Sequence, residues 1–211
     1  MKIQIFVLGE LQTNVYLVSD PETSEAILID PADEANFLSE KILTQNLKLK
    51  QIIATHAHFD HILAAWELSL AFNLPLSFHP KDKKIASYMQ KSASFWLKRE
   101  IIEKAPDKIK EITAKNKITF GNQSLKIIPT PGHTPGGICL YSKKEKVLFT
   151  GDTLFANGVG RTDFPYGSSK DLSSSLQKLN KLPPSTKIYP GHGPISTLKE
   201  SIQTAKSYIY I

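Results

Sequence analysis

The stretch ATHAHFDHI, residues 54–62, sets His56, His58, Asp60 and His61 within six positions. It holds three of the chain's six histidines. Running into its start, QIIAT (51–55) is a short β-branched run that reads as a buried strand. A rigid strand that delivers a polar loop is how a fold positions chemistry. Three more segments share the layout. LKIIPTPGH ends at His133, KVLFTGD at Asp152 and TKIYPGH at His192. Each time a glycine, at 132, 151 or 191, immediately precedes the polar residue and allows a tight turn.

If these strand ends meet, five histidines (56, 58, 61, 133, 192) and two aspartates (60, 152) converge. Imidazole and carboxylate together suit zinc, iron or manganese. Seven ligands exceed one tetrahedral zinc site but fit two adjacent metals that share a bridging carboxylate. A lone His-x-His arises by chance on many surfaces. Chance must here also explain His133 and His192, both in Pro-Gly-His, and Asp152 after an apolar strand. His79, in SFHP, belongs to no such group and is read as structural or exposed.

The remainder of the chain sets bounds. Its 211 residues fit one domain, 1–211, with 41% apolar and 22% charged residues. No apolar run approaches the roughly 20 residues of a membrane helix. The N-terminus MKIQIFVLGELQ lacks a signal-peptide pattern, so a cytoplasmic protein is expected. Cys139 is the only cysteine and is read as a buried packing residue in GGICLYS. Net charge is +6, with the excess concentrated over 81–117. That stretch is read as a solvated helical surface, since it shows no nucleic-acid motif.

Strands are expected at KIQIFVLG, NVYLVS, EAILID, QIIAT, PLSFH, SLKIIPT, GICLYS, KVLFTG and TKIYPG. Helices are expected at DEANFLSEKILTQN, at about 62–72, across an insert at about 81–112 interrupted at Pro106, at DLSSSLQKLN and at TLKESIQTAKSYIY. This order implies an α/β protein with strands inside and helices outside. Periodicity leaves open whether there is one sheet or two.

THAHFDH, PGHTPGG, GDTLF, GRTDFP and YPGHGP, in this order, resemble the metallo-β-lactamase superfamily, above all its glyoxalase II (hydroxyacylglutathione hydrolase) branch. The resemblance runs from TNVYLV (13–18) to YPGHGP (189–194). It implies a four-layer αββα sandwich with the metals at one edge. By position, His56, His58 and His133 would hold a first metal, Asp60, His61 and His192 a second, and Asp152 would bridge them. The metals would be two divalent ions: zinc, iron or manganese. They would activate a water that attacks a thioester such as S-D-lactoylglutathione, with Asp60 orienting it. Arg161 matches the basic glutathione-binding position of that branch, while Asp163 stands where its tyrosine would be. Arg161 either contacts a substrate carboxylate or pairs with Asp163 to stiffen the loop, and Tyr166 is the candidate replacement aromatic. Only 19 residues follow His192, so the chain looks like the shorter bacterial glyoxalase II-like proteins. In this chain the insert, with Tyr88, Phe95, Trp96, Lys98 and Arg99, either walls the pocket or simply buries its aromatics in the core and carries its charges on the surface. The competing expectations are a glutathione persulfide dioxygenase with one iron and a non-enzymatic metal-bound scaffold. The partner expected is a small thioester, with no nucleic acid or membrane, on a monomer or homodimer.

Overall fold

The first half of the chain builds one sheet. In the computed structural model, which describes residues 1–206, β1 (Lys2–Leu8), β2 (Thr13–Ser19) and β3 (Glu25–Ile29) form an antiparallel meander. Helix α1 (Ala35–Thr44) crosses to β4 (Lys48–Ile53), which pairs parallel with β3. A 3-10 turn at Phe59–His61 and α2 (Ala65–Phe72) lead to β5 (Leu76–Phe78). Helices α3 (Lys83–Ser87) and α4 (Met89–Leu97) then precede the edge strand β6 (Ile109–Glu111), so the order is β1-β2-β3-β4-β5-β6.

The second half builds a second sheet. It contains β7 (Lys117–Phe120), β8 (Gln123–Pro129), β9 (Ile138–Ser142) and β10 (Val147–Gly151). The hairpin β11 (Leu154–Phe155) and β12 (Gly158–Val159) leads to α5 (Ser169–Leu179). Then follow β13 (Lys187–Pro190), parallel to β10, β14 (Ser196–Thr197) and α6 (Leu198–Ala205). The sheet order is β14-β13-β10-β9-β8-β7.

Alternation along the strands explains the stacking. Side chains of a strand point to opposite faces. Val15 and Leu17 of β2, with Ala26 and Leu28 of β3, pack beneath Leu38, Ile42, Leu68 and Ala93 of the helices. Tyr16, Val18, Ile27 and Ile29 point the other way and meet Leu125, Ile127, Leu140 and Phe149 of the second sheet. From that sheet Cys139 and Leu148 face Leu172, Leu176 and Ile202 of α5 and α6. Three apolar layers therefore lie between four layers of structure, an αββα sandwich. Strands buried on both faces read as continuous apolar runs, which is why NVYLV and EAILI stand out in the sequence.

The insert differs from its sequence reading. The helix stops at Leu97 because Lys98 takes a left-handed conformation, φ 52°. Residues 99–108 are irregular, held by Ile101 in the core and by Gln90 Nε2 donating to the Ile101 carbonyl at 2.7 Å. Pro106 offers no backbone donor for a helix, and Ile109–Glu111 pairs parallel with β5 instead. The closing helix covers Leu198–Ala205 behind a capping box of Thr197 and Glu200; its remaining expected length, from 207, lies outside the described residues.

Candidate metal centre

The C-terminal ends of β3, β4, β8, β10 and β13 meet at one edge of the sandwich. Asp30, which follows β3, is fully buried. Its carboxylate accepts the Thr55 N–H at 2.6 Å and the Thr55 hydroxyl at 2.8 Å, fixing the residue directly ahead of His56. Asp82 holds the next loop. It accepts the Ala57 N–H at 3.1 Å, the Thr134 hydroxyl at 2.8 Å and the Gly136 N–H at 2.6 Å. One buried carboxylate thus ties the loop of His56 and His58 to the loop of His133. Asn14, at the start of β2, donates its side-chain amide to the carbonyls of Pro190 and Gly193, each at 2.9 Å, and its backbone N–H to Gly191 at 2.7 Å. That clamps the His192 loop of the second sheet to the first. Gly191 is required by contact: a Cβ there would lie 2.2 Å from Asp152 Oδ1.

These anchors bring all seven singled-out residues into one cluster. Ligand atoms of His56, His58 and His133 lie within 4.8 Å of one another, as do those of Asp60, His61 and His192, and those of His56, His61 and Asp152. Asp152 stands between the outer trios. Its Oδ1 is 3.4 Å from His61 Nε2, and its Oδ2 is 3.6 Å from His133 Nε2 and 3.7 Å from His192 Nε2.

Neighbouring acceptors fix which nitrogen three of the rings turn inward. His133 Nδ1 donates to the Arg161 carbonyl at 2.7 Å and His192 Nδ1 to the Leu11 carbonyl at 3.1 Å, which frees Nε2 on both. Thr55 gives its own proton to Asp30, so its oxygen accepts from His56 Nδ1 at 3.2 Å and leaves Nε2 inward. His61 Nδ1 lies 3.1 Å from Asp30 Oδ2. His58 turns Nδ1 toward His133 Nε2, 2.9 Å away. An imidazole oriented by a carbonyl or carboxylate on its far nitrogen is the usual arrangement of a metal ligand. His56 Nε2, His61 Nε2 and Asp152 Oδ1 are buried without a hydrogen-bond partner. Orphaned buried polar atoms are costly, and divalent cations between the trios would satisfy all three. The donor set therefore fits two such ions.

The charges agree. Burial, with His61 nearby, pushes His56 well below the ordinary imidazole range. Burial, with His133, lowers His58 to about 4. Both are neutral near pH 7, the form that ligates. Burial would lift Asp152 and Asp60, but His61 beside each outweighs it, aided by His56 on Asp152 and His192 on Asp60, and both stay ionised. His61 and His192 move up against the effect of burial because Asp60 and Asp152 face them.

Arg161 and Tyr166 lie on the exposed rim. Arg161 donates Nε and Nη2 to Asp163 at 2.9 and 2.7 Å, and its guanidinium carbon lies 4.2 Å from the Phe164 ring centroid. The pair within the loop is formed. Tyr166 has φ 73° and Lys84 Nζ 5.4 Å from its ring centroid. His79 caps the 3-10 turn Pro80–Asp82 by accepting the Lys81 N–H, outside the cluster. Cys139 is buried in the second sheet, and burial raises its thiol to about 11.

Sequence reading missed Asp30, Thr55, Asp82 and Phe164. Asp30 carried a signal, since EAILID is a further apolar strand ending in a polar residue. Asp82, inside HPKDKK, carried none.

The sequence model of the metallo-beta-lactamase superfamily matches residues 8–192. A hydroxyacylglutathione hydrolase, GloC, of Haemophilus influenzae is 36% identical over 94% of this chain and 93% of its own. The crystal structure of TTHA1623 in a di-iron-bound form superposes with TM-score 0.87 at 37% identity, covering 96% of this chain and 98% of that one. The BLEG-1 B3 metallo-beta-lactamase gives TM-score 0.84 at 33% identity, over 94% and 95% of the two chains. Among the described residues no helix is long and apolar enough to cross a membrane. With the sandwich, the strand-end histidines and this match over most of its length, the chain belongs to the metallo-beta-lactamase superfamily.

Proposed function

We propose that this metallo-hydrolase homologue is a dinuclear thioesterase that cleaves glutathione thioesters such as S-D-lactoylglutathione. The observation that carries the reading is the pair of donor trios with Asp152 between them. A closed structural zinc needs only four ligands, and one iron needs only one trio. The hydroxyacylglutathione hydrolase of Haemophilus influenzae supports the substrate class.

His56, His58 and His133 would hold one ion, Asp60, His61 and His192 the other, with Asp152 shared; zinc, iron and manganese all suit the donors. Divalent cations so held supply Lewis acidity, lowering the pKa of water and stabilising charge on the carbonyl oxygen. Asp60 orients the attacking water. Its Oδ2 is itself held by the Thr13 hydroxyl at 3.3 Å and faces His192 Nε2 at 3.3 Å. The water oxygen bonds to the thioester carbon and the C–S bond breaks with its electron pair on sulfur; of the two water protons, one ends on that sulfur and the other leaves to solvent. The products are a carboxylate and a thiol. A thiolate leaves readily, so the site requires no strong general acid. Arg161 and Tyr166 serve as rim contacts, Arg161 exchanging Asp163 for a substrate carboxylate.

The test is release of free thiol from S-D-lactoylglutathione by metal-replete protein, run beside a β-lactam and beside oxygen uptake with glutathione persulfide. Thiol release alone is expected. Oxygen uptake without thioester cleavage would favour the persulfide dioxygenase, and β-lactam cleavage alone the activity named for BLEG-1. No turnover with metal bound would favour a scaffold.

A further inference from the structure

We propose that Trp96 and Phe164 form an aromatic shelf at the mouth of the metal centre, and that it selects thioesters with an apolar, ring-bearing acyl group. The inference rests on the thioesterase reading. Phe164 begins the shelf: its ring centroid lies 5.8 Å from that of His58 and 6.0 Å from that of His133, both edge-on. Trp96 continues it at 6.3 Å from Phe164, and Phe95 follows at 5.5 Å from Trp96. These are the spacings at which aromatic rings attract edge to face. The row leads from two candidate ligands out to solvent.

The fold does not need the outer rings. Helix α4 buries Met89 and Ala93 and packs Leu97 against the same core. Phe95 and Trp96 remain 74% and 52% exposed. Apolar rings left in water next to a reactive centre are what a ligand surface supplies. The shelf is also electrically neutral, since the Arg161 guanidinium over Phe164 is matched by Asp163. Two lysines of α3 and α4 lack a carboxylate partner among the described residues: Lys84, near the rim Tyr166, and Lys91, near Tyr88. A neutral apolar acyl group suits the rings, and an anionic thiol carrier suits the lysines.

The experiment compares two thioesters of one thiol, S-D-lactoylglutathione and S-D-mandeloylglutathione, which differ by a methyl in place of a phenyl. The wild type should favour the mandeloyl ester in kcat/KM by roughly tenfold or more, mainly through KM. Trp96→Ala should bring that ratio close to one, and Trp96→Phe should restore most of it. Binding of S-benzylglutathione against S-methylglutathione to the metal-loaded protein, by calorimetry, should show the same preference and the same loss. No ring preference in the wild type, or a preference that survives Trp96→Ala, overturns the shelf. So does a Trp96→Ala effect confined to the sedimentation coefficient, which would make the rings a contact between copies. Absence of hydrolysis with the calorimetric preference intact would refute the thioesterase reading and leave the shelf standing.

Discussion

Asp82→Asn exchanges one buried oxygen for an NH2 group at nearly constant volume. In the wild type Oδ2 accepts from Ala57 N–H and the Thr134 hydroxyl, and Oδ1 accepts from Gly136 N–H. The amide keeps one acceptor. With that oxygen on Gly136, its NH2 faces the Ala57 N–H, and the Thr134 hydroxyl must rotate to accept. One buried N–H without a partner costs about 1–3 kcal/mol, and loss of charge-assisted bonding adds about 1 kcal/mol. Burial raises the Asp82 pKa, so the neutral amide recovers part of this. The net destabilisation is on the order of 2 kcal/mol, less than the ~5–15 kcal/mol of a typical domain. The fold survives, and the effect concentrates on the histidine loop, because Ala57 lies between His56 and His58. Removing a partner that orients metal ligands typically lowers metal affinity about 10–100-fold. Urea unfolding of the metal-free protein and competitive chelator titration of the loaded protein measure the two effects. Both unchanged in Asp82→Asn would refute the claim that this carboxylate holds the two loops.

His58→Ala and Asp152→Ala should each abolish thiol release while leaving the far-ultraviolet circular dichroism largely intact, and unchanged turnover in both would refute the site assignment. Cys139 should resist iodoacetamide at pH 8 in the native protein. Burial lifts its thiol to about 11, which leaves a thiolate fraction on the order of 0.1%. Labelling should become complete in urea, and fast labelling of the folded chain would contradict the buried placement.

What the sequence disclosed follows from what each residue's environment depends on. The strand tips were legible because β-branched runs and Pro-Gly-His turns are local features. Burial of the QIIAT strand was legible too, since it is a short β-branched run. Which layer each face meets was not: Val15 and Tyr16 are both apolar, and only the tertiary structure sends one to the helices and the other to the second sheet. The two-sheet architecture came from resemblance for this reason. Helix was expected through 112, because charged spacing continues past Leu97. The left-handed turn at Lys98 and the three exposed residues of β6 have no period to betray them. The four-residue β7 and the shorter β11, β12 and β14 were missed as well. Asp82 read as surface charge among lysines, and its burial arises from contacts with Ala57, Thr134 and Gly136, remote in sequence. Phe164 was part of a quoted motif, but its place beside His58 and His133 is a tertiary fact.

Anomalous X-ray scattering from crystals of the metal-saturated protein, collected at the edge of the loaded metal, tests the dinuclear claim most directly. Two peaks flanking the Asp152 carboxylate are predicted, one among His56, His58 and His133 and the other among Asp60, His61 and His192. A single peak, or peaks away from these side chains, would contradict it.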